Sequence, residues 1–265
     1  MNDKKNGIKQ NLTNYGDLGF STFLRKSFIK GLGYSDAMLD KPIVGIINTF
    51  SNYNSCHGNV PDLIQSVRAG VLAKGAIPLE FPTISVHEAF TYPTSMYLRN
   101  LMAMDTEEMI RAQPMDSCVL IGGCDKTVPA QLMGALSVDM PIVQLVTGPM
   151  LTGSHRGERV GACTDCRRLW AKFRADEIDE TEIAEANNQL VPTVGTCGVM
   201  GTASTMAMLT ETLGLMPPDS SCAPAVSSER RRIAEYTGEI AVEIANAKRR
   251  PSSILTKRSF ENALM

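Results

Sequence analysis

The sequence has no apolar run near the roughly 20 residues that span a bilayer. Its N-terminus, MNDKKNGIKQNLTNYG, lacks the apolar centre that a secretory signal needs. No membrane partner is expected, and the expected location is cytoplasmic. Neither sign of charge dominates, since 26 basic and 28 acidic residues leave a net charge of −2. A general nucleic-acid partner needs a concentrated positive face, so none is expected. The short clusters Arg167-Arg168 and Arg230-Arg231-Arg232 read as solvated helix faces. Histidine is scarce (His57, His87 and His155), and no nucleophile elbow accompanies it. There is no GxxxxGK[ST] and no GxGxxG, so neither nucleoside triphosphate nor dinucleotide binding has support. Asn11-Leu12-Thr13 matches a glycosylation sequon, but without a secretory route the match reads as chance.

What the chain does have is cysteine, at positions 56, 118, 124, 163, 166, 197 and 222. An odd number in a chain of 265 residues, 43% hydrophobic, argues against a small disulfide scaffold. Reduced thiols, some of them ligands, are the better reading. The length allows one large domain or two small ones.

Periodicity alternates in the α/β manner, which predicts mainly parallel sheets flanked by helices. The apolar runs Pro42–Ile47, Pro78–Phe81, Ser117–Ile121 and Pro141–Val146 read as strands. Helices are expected over Asp62–Lys74, Pro93–Met104, Val128–Ser137, Thr202–Leu213, Ser228–Asn246 and Lys257–Leu264. The polar region 153–190 reads as two helical pieces. Residues 1–15 are expected to be a polar tail, and 16–265 an α/β cluster- and Mg-binding domain. The last residues read as helix with no glycine stop, so the domain is expected to be truncated at its C-terminal end.

In open α/β sheets, functional groups gather where strands end. Cys56 (NTFSNYNSCHGNVP), Cys124 (IGGCDKTVPA) and Cys197 (VGTCGVMGTAST) all lie in loops of small or turn-forming residues after apolar segments. Each alone reads equally as a buried small hydrophobe, as Cys118 does in its strand. Three together favour a shared thiolate site. Cys163-Thr164-Asp165-Cys166 is the one CxxC, with a non-catalytic role the better reading. Asp125 either caps the following helix or serves as an oxygen ligand to a hard cation such as Mg²⁺, with Glu88 as a second ligand. Lys126 is a surface charge, or an amine that carbon dioxide converts into an anionic carbamate. His57, beside Cys56, tunes that site or is an ordinary loop histidine.

Ser55-Cys56-His57, Gly122-Gly123-Cys124-Asp125-Lys126-Thr127 and Gly195-Thr196-Cys197 with Met200-Gly201-Thr202-Ala203-Ser204-Thr205 resemble the dihydroxy-acid and sugar-acid dehydratases. Pro78–Ser85 and Cys163–Arg168 resemble the pentonate, arabinonate-type branch. The resemblance implies an iron–sulfur cluster, [2Fe–2S] or alternatively [4Fe–4S], on Cys56, Cys124 and Cys197. It also implies Mg²⁺ on Glu88, Asp125 and carbamylated Lys126, with Lys126 taking a catalytic part. The implied reaction is loss of water from a 2,3-dihydroxy sugar acid to give a 2-keto-3-deoxy acid. The base is implied to be a serine in a C-terminal barrel-like domain beyond this chain, so an isolated fragment is expected to be inactive. A homodimer or homotetramer is implied at full length. The alternatives are a dihydroxy-acid dehydratase of branched-chain amino-acid biosynthesis and a non-catalytic iron–sulfur module.

Overall fold

The computed structural model describes residues 6–12 and 15–265; residues 1–5 and 13–14, which include part of the expected tail and Thr13 of the sequon, lie outside the described residues. The run after Pro42 forms β1 (Ile43–Asn48), buried at every position from Ile43 to Ile47. A strand buried on both faces needs a layer on each side. The remaining apolar runs form β2 (Ile77–Pro82), β3 (Ser117–Gly122) and β4 (Ile142–Val146), giving a parallel sheet of order β2-β1-β3-β4.

The connections supply the layers. Helix α1 (Leu18–Gly31) precedes the sheet. Helix α2 (Val60–Ala73) joins β1 to β2, α3 (Arg99–Ala112) joins β2 to β3, and α4 (Thr127–Val138) joins β3 to β4. A long later helix, α8 (Ser228–Ala247), packs on α2, and together they cover one face with Val67, Val71, Ala241 and Val242. Helices α3 and α4 cover the other with Ile110, Val128 and Leu132. The α2–α8 crossing brings the two backbones into contact. A β-carbon on Gly70 would lie 2.0 Å from the Glu235 carbonyl oxygen, and one on Gly238 would lie 2.3 Å from that of Val67. Only glycine at both positions permits that approach.

Between β4 and α8 lie a hairpin of β5 (Gly153–His155) and β6 (Glu158–Val160), then α5 (Thr164–Arg174), α6 (Glu180–Leu190) and α7 (Thr202–Thr212). The chain closes with α9 (Lys257–Leu264), whose start carries a capping box from Thr256 and Ser259. No helix among the described residues is long and apolar enough to cross a membrane.

Several expectations need correction. The helix expected over 93–104 begins only at Arg99, because Thr94 first caps a 3-10 turn over Ser95–Leu98. The polar stretch before α5 is not helical; Arg156 and Gly157, at φ 49 and 82, turn it into a hairpin. Part of the expected tail is packed. Ile8 is buried in the core, and Gly7 N donates to Asp116 Oδ2 at 2.9 Å. Arg230 is not on a solvated face. It is fully buried, its Nε and Nη2 donate to the Ala223 carbonyl at 3.2 and 2.5 Å, and burial pulls its pKa down to about 10.

Candidate functional site

The chain steps from β1 outward to β2, then returns over β1 to β3. The segments leaving the carboxyl ends of β1 and β3 therefore diverge to opposite faces and leave a crevice between them, the usual ligand position in open α/β sheets. Two of the expected cysteines are there. Cys56 lies in a 3-10 turn (Ser55–His57) after β1, and Cys124 directly follows β3; both are buried. Thr49 ties the two strand ends together by donating its hydroxyl to the Ile121 carbonyl at 2.9 Å.

His57 builds the Cys124 loop. It is fully buried. Its Nδ1 lies 2.9 Å from the Thr49 carbonyl, and its Nε2 lies 3.0 Å from Gly123 N and 3.1 Å from Cys124 N. One ring nitrogen must donate and the other must accept, so the imidazole is neutral with its proton on Nδ1. Burial pushes its pKa down to about 4, against a weaker opposing pull from the Thr49 carbonyl. Gly123 has no alternative in this loop, because a β-carbon there would lie 1.8 Å from Thr147 Oγ1.

Cys56 and Cys124 lie close enough for each to perturb the other's ionisation. The neighbouring Cys124 raises the Cys56 pKa, with burial adding to it, and Cys56 lowers that of Cys124. Of the two thiols, Cys124 is therefore the more easily ionised. Cys197, half-buried, reaches the same rim from the loop before α7. Its strand-like neighbours are pinned by three backbone bonds: Gly195 N to Ser55 O (3.1 Å), Thr196 N to Gly148 O (2.9 Å) and Met150 N to Thr196 O (2.9 Å). Burial, then the nearby Cys163, pushes the Cys197 thiol up to about 12. The Cys163 sulfur lies 3.6 Å from that of Cys197. Cys163 sits at φ 77 and ψ −68, a left-handed conformation. In a non-glycine residue this costs about 1–3 kcal/mol.

The charged residues of the turn form a partly buried cluster with Glu88. Lys126 Nζ lies 2.7 Å from Asp125 Oδ2 and 3.5 Å from Glu88 Oε2. Burial opposes the ammonium, but the two carboxylates outweigh it and raise its pKa. Ser95 donates its hydroxyl to Glu88, which with Lys126 holds that carboxylate below its ordinary range. The structure therefore brings Glu88, Asp125 and Lys126 together.

Among the described residues, no three His, Cys, Asp or Glu side chains stand close enough to hold one metal ion. The donor sets fit the two expected groups in different ways. The ammonium stands where a cation would sit between two hard oxygen donors, which suits Mg²⁺. Cys56 and Cys124 are paired while Cys197 stands apart, an arrangement suited to a multi-iron cluster rather than to a single ion. The buried hydroxyls of Thr127 and Thr147, beside Gly122 and Gly123, have no hydrogen-bond partner.

A family model described as dihydroxy-acid/6-phosphogluconate dehydratase N-terminal matches residues 41–265, a range that contains all six expected site residues. The chain belongs to this family. The L-arabinonate dehydratase of Rhizobium leguminosarum is 42% identical over 94% of this chain and 43% of its own length. The D-xylonate dehydratase of Caulobacter vibrioides is 39% identical over 91% of the chain and 41% of its own length. The dihydroxy-acid dehydratase of Natronomonas pharaonis is 34% identical over 90% and 41%. The chain thus spans less than half the length of these dehydratase relatives. Sequence reasoning missed the structural part of His57, the leftover Thr147 hydroxyl and the meeting of Cys163 with Cys197. Only the position of His57 beside Cys56 signalled any of them.

Proposed function

We propose that the chain supplies the cofactor-holding part of a hydro-lyase that converts a 2,3-dihydroxy sugar acid into a 2-keto-3-deoxy acid and water. The supporting observation is one strand-to-helix turn that brings Cys124 near Cys56 and holds Asp125 with Lys126 against Glu88. Cys56, Cys124 and Cys197 would hold a [2Fe–2S] cluster, with [4Fe–4S] as the alternative. Glu88, Asp125 and Lys126, as its carbamate, would hold Mg²⁺. Bound there, these groups supply Lewis acidity for the C3 hydroxyl and positive charge for the carboxylate end.

The chain's own residues hold and orient. Neutral His57 accepts the Gly123 and Cys124 amides and so fixes the loop that carries Cys124. The Lys126 amine, once deprotonated, adds carbon dioxide and releases one proton. The product is an anionic oxygen where the ammonium stood. The sugar-acid class is favoured because relatives named for sugar-acid substrates are 38–42% identical to the chain, against 34–35% for those named dihydroxy-acid dehydratase. In the whole protein, a homodimer or homotetramer is part of the proposal.

The test is anaerobic reconstitution with iron and sulfide, then metal analysis and assay of ketoacid release from L-arabinonate, D-xylonate and a branched 2,3-dihydroxy acid. Iron and sulfide should load wild type and not the variant Cys56→Ser/Cys124→Ser/Cys197→Ser. Equal loading of both would overturn the ligand assignment. Ketoacid from the branched acid alone, in a protein carrying this chain at its relatives' full length, would overturn the substrate class.

A further inference from the structure

Cys163 has no part in the site proposed above, yet its sulfur touches one that does. The two Sγ atoms of Cys163 and Cys197 lie 3.6 Å apart across 34 residues of sequence. The local structure explains the pairing. Cys163 is exposed and stands just before α5, where its positive φ turns it out of the helical path. Cys166, the other half of the CxxC, is inside α5 and packs with Val160, Leu169, Ala186 and Leu190. The two cysteines of the motif thus face different surroundings. Cys197, for its part, cannot drift, because the backbone on its N-terminal side is bonded to the loops after β1 and β4. An exposed thiol therefore meets a fixed, half-buried one.

We propose that Cys163 and Cys197 form a reversible disulfide, made by hydrogen peroxide or a similar two-electron oxidant when no metal group holds Cys197. In the first step the Cys163 thiolate attacks a peroxide oxygen. The O–O bond breaks, leaving Cys163 sulfenic acid and hydroxide, which takes a proton to become water. In the second step the Cys197 sulfur attacks the Cys163 sulfur. The S–O bond breaks, and the hydroxyl leaves as water with the proton of the Cys197 thiol. Two thiols lose two electrons, and one peroxide becomes two waters. A disulfide bond is about 2.05 Å long, so the sulfurs must approach by roughly 1.5 Å, within reach of a rotation at the exposed Cys163. Oxidised Cys197 has no thiolate to offer a metal, so the bond would exclude the cluster while shielding Cys197 from irreversible oxidation. That exclusion rests on the function proposed above; the disulfide itself does not.

The test treats the reduced, metal-free chain with one equivalent of peroxide, followed by thiol titration and non-reducing peptide mapping. Free thiols should fall from seven to five. Trypsin should release peptide 160–167 joined to 175–230. The link should persist in Cys166→Ser and in Cys222→Ser, vanish in Cys163→Ser, and open with dithiothreitol. A link within the CxxC, a link from Cys197 to Cys56 or Cys124, or retention of all seven thiols would overturn the proposal. A second arm offers iron and sulfide to oxidised wild type without reductant. Loading should fall at least tenfold and return after dithiothreitol. Full loading of a chain that carries the mapped 163–197 bond would instead overturn Cys197 as a cluster ligand and leave the disulfide standing.

Discussion

Protonating His57 should cost the fold a calculable amount of stability. The native state holds the ring neutral, with a pKa of about 4 against an ordinary value of 6.5. The unfolded chain binds that proton more readily, so the contribution is fully present above pH 6.5 and is lost as pH falls toward 4. The whole shift corresponds to about 3 kcal/mol, and by pH 5 about 2 kcal/mol of it should already be gone. Other groups titrate too, so the measurement is a difference. Urea unfolding of the metal-free chain, followed by far-UV circular dichroism, would compare wild type with His57→Gln at pH 8 and pH 5. The glutamine oxygen can still accept the Gly123 and Cys124 amides but cannot titrate. At pH 8 the variant should be less stable by about 1–3 kcal/mol, through the lost bond to Thr49 and poorer packing. At pH 5 that gap should narrow by about 2 kcal/mol. An unchanged gap would refute the neutral, double-acceptor histidine and the account of the Cys124 loop built on it.

Gly123→Ala should lower unfolding stability by about 1–3 kcal/mol, because its new methyl collides with Thr147; adding Thr147→Ala should restore part of the loss in the same urea titration. Gly238→Ala should destabilise by a similar amount or more, since the obstruction at the α2–α8 crossing is backbone and cannot swing away. With ¹³C-bicarbonate and Mg²⁺, a carbamate resonance should arise in wild type and be absent in Lys126→Met; its presence in both would remove Lys126 from the metal site. In the metal-free protein, Lys126→Met should raise the Glu88 pKa, because the ammonium now helps to hold it down. A ¹³C NMR titration of the carboxylate would read the shift.

The four core strands were legible because they are short apolar runs separated by helical segments, three of them (β1, β3 and β4) buried on both faces. Helix α1 was not legible. Phe20, Phe23 and Phe28 are all exposed on it, so its apolar residues mark no buried stripe. The hairpin of β5 and β6 has strands of three residues, too short for an alternating pattern to register. Ile8 packs as one apolar residue in a polar stretch, and such a contact leaves no period. At the site, glycine-rich loops after strands pointed to Cys56 and Cys124, since that is where an open sheet places its crevice. The partners of His57 lie 66 and 67 residues away, and Cys163 meets Cys197 across 34, so those contacts exist only once the chain is folded.

The turn after β3 shows why three unlike side chains can be neighbours in sequence. Cys124, Asp125 and Lys126 lie beyond the end of β3, in a turn, where the strand's two-sided alternation no longer applies. Cys124 stands near Cys56, while Lys126 joins Asp125 to Glu88, and the Cys124 thiol also donates to Asp125 Oδ1 at 3.8 Å. The Cys124 carbonyl accepts from Thr127 N at 2.9 Å, so the turn that carries the two groups also starts α4. Asp125 lies just ahead of the free amides of that helix, where a negative charge is favourable with or without a cation. Lys126 is then the residue whose chemical state decides what the charged cluster binds. As an ammonium it is itself the cation between two carboxylates. As a carbamate it becomes a third acid and leaves a vacancy of the opposite sign. Because one backbone turn carries both, the distance between a thiolate-bound group and an oxygen-bound group would be set by three consecutive residues. No docking of separate elements would be needed to fix it.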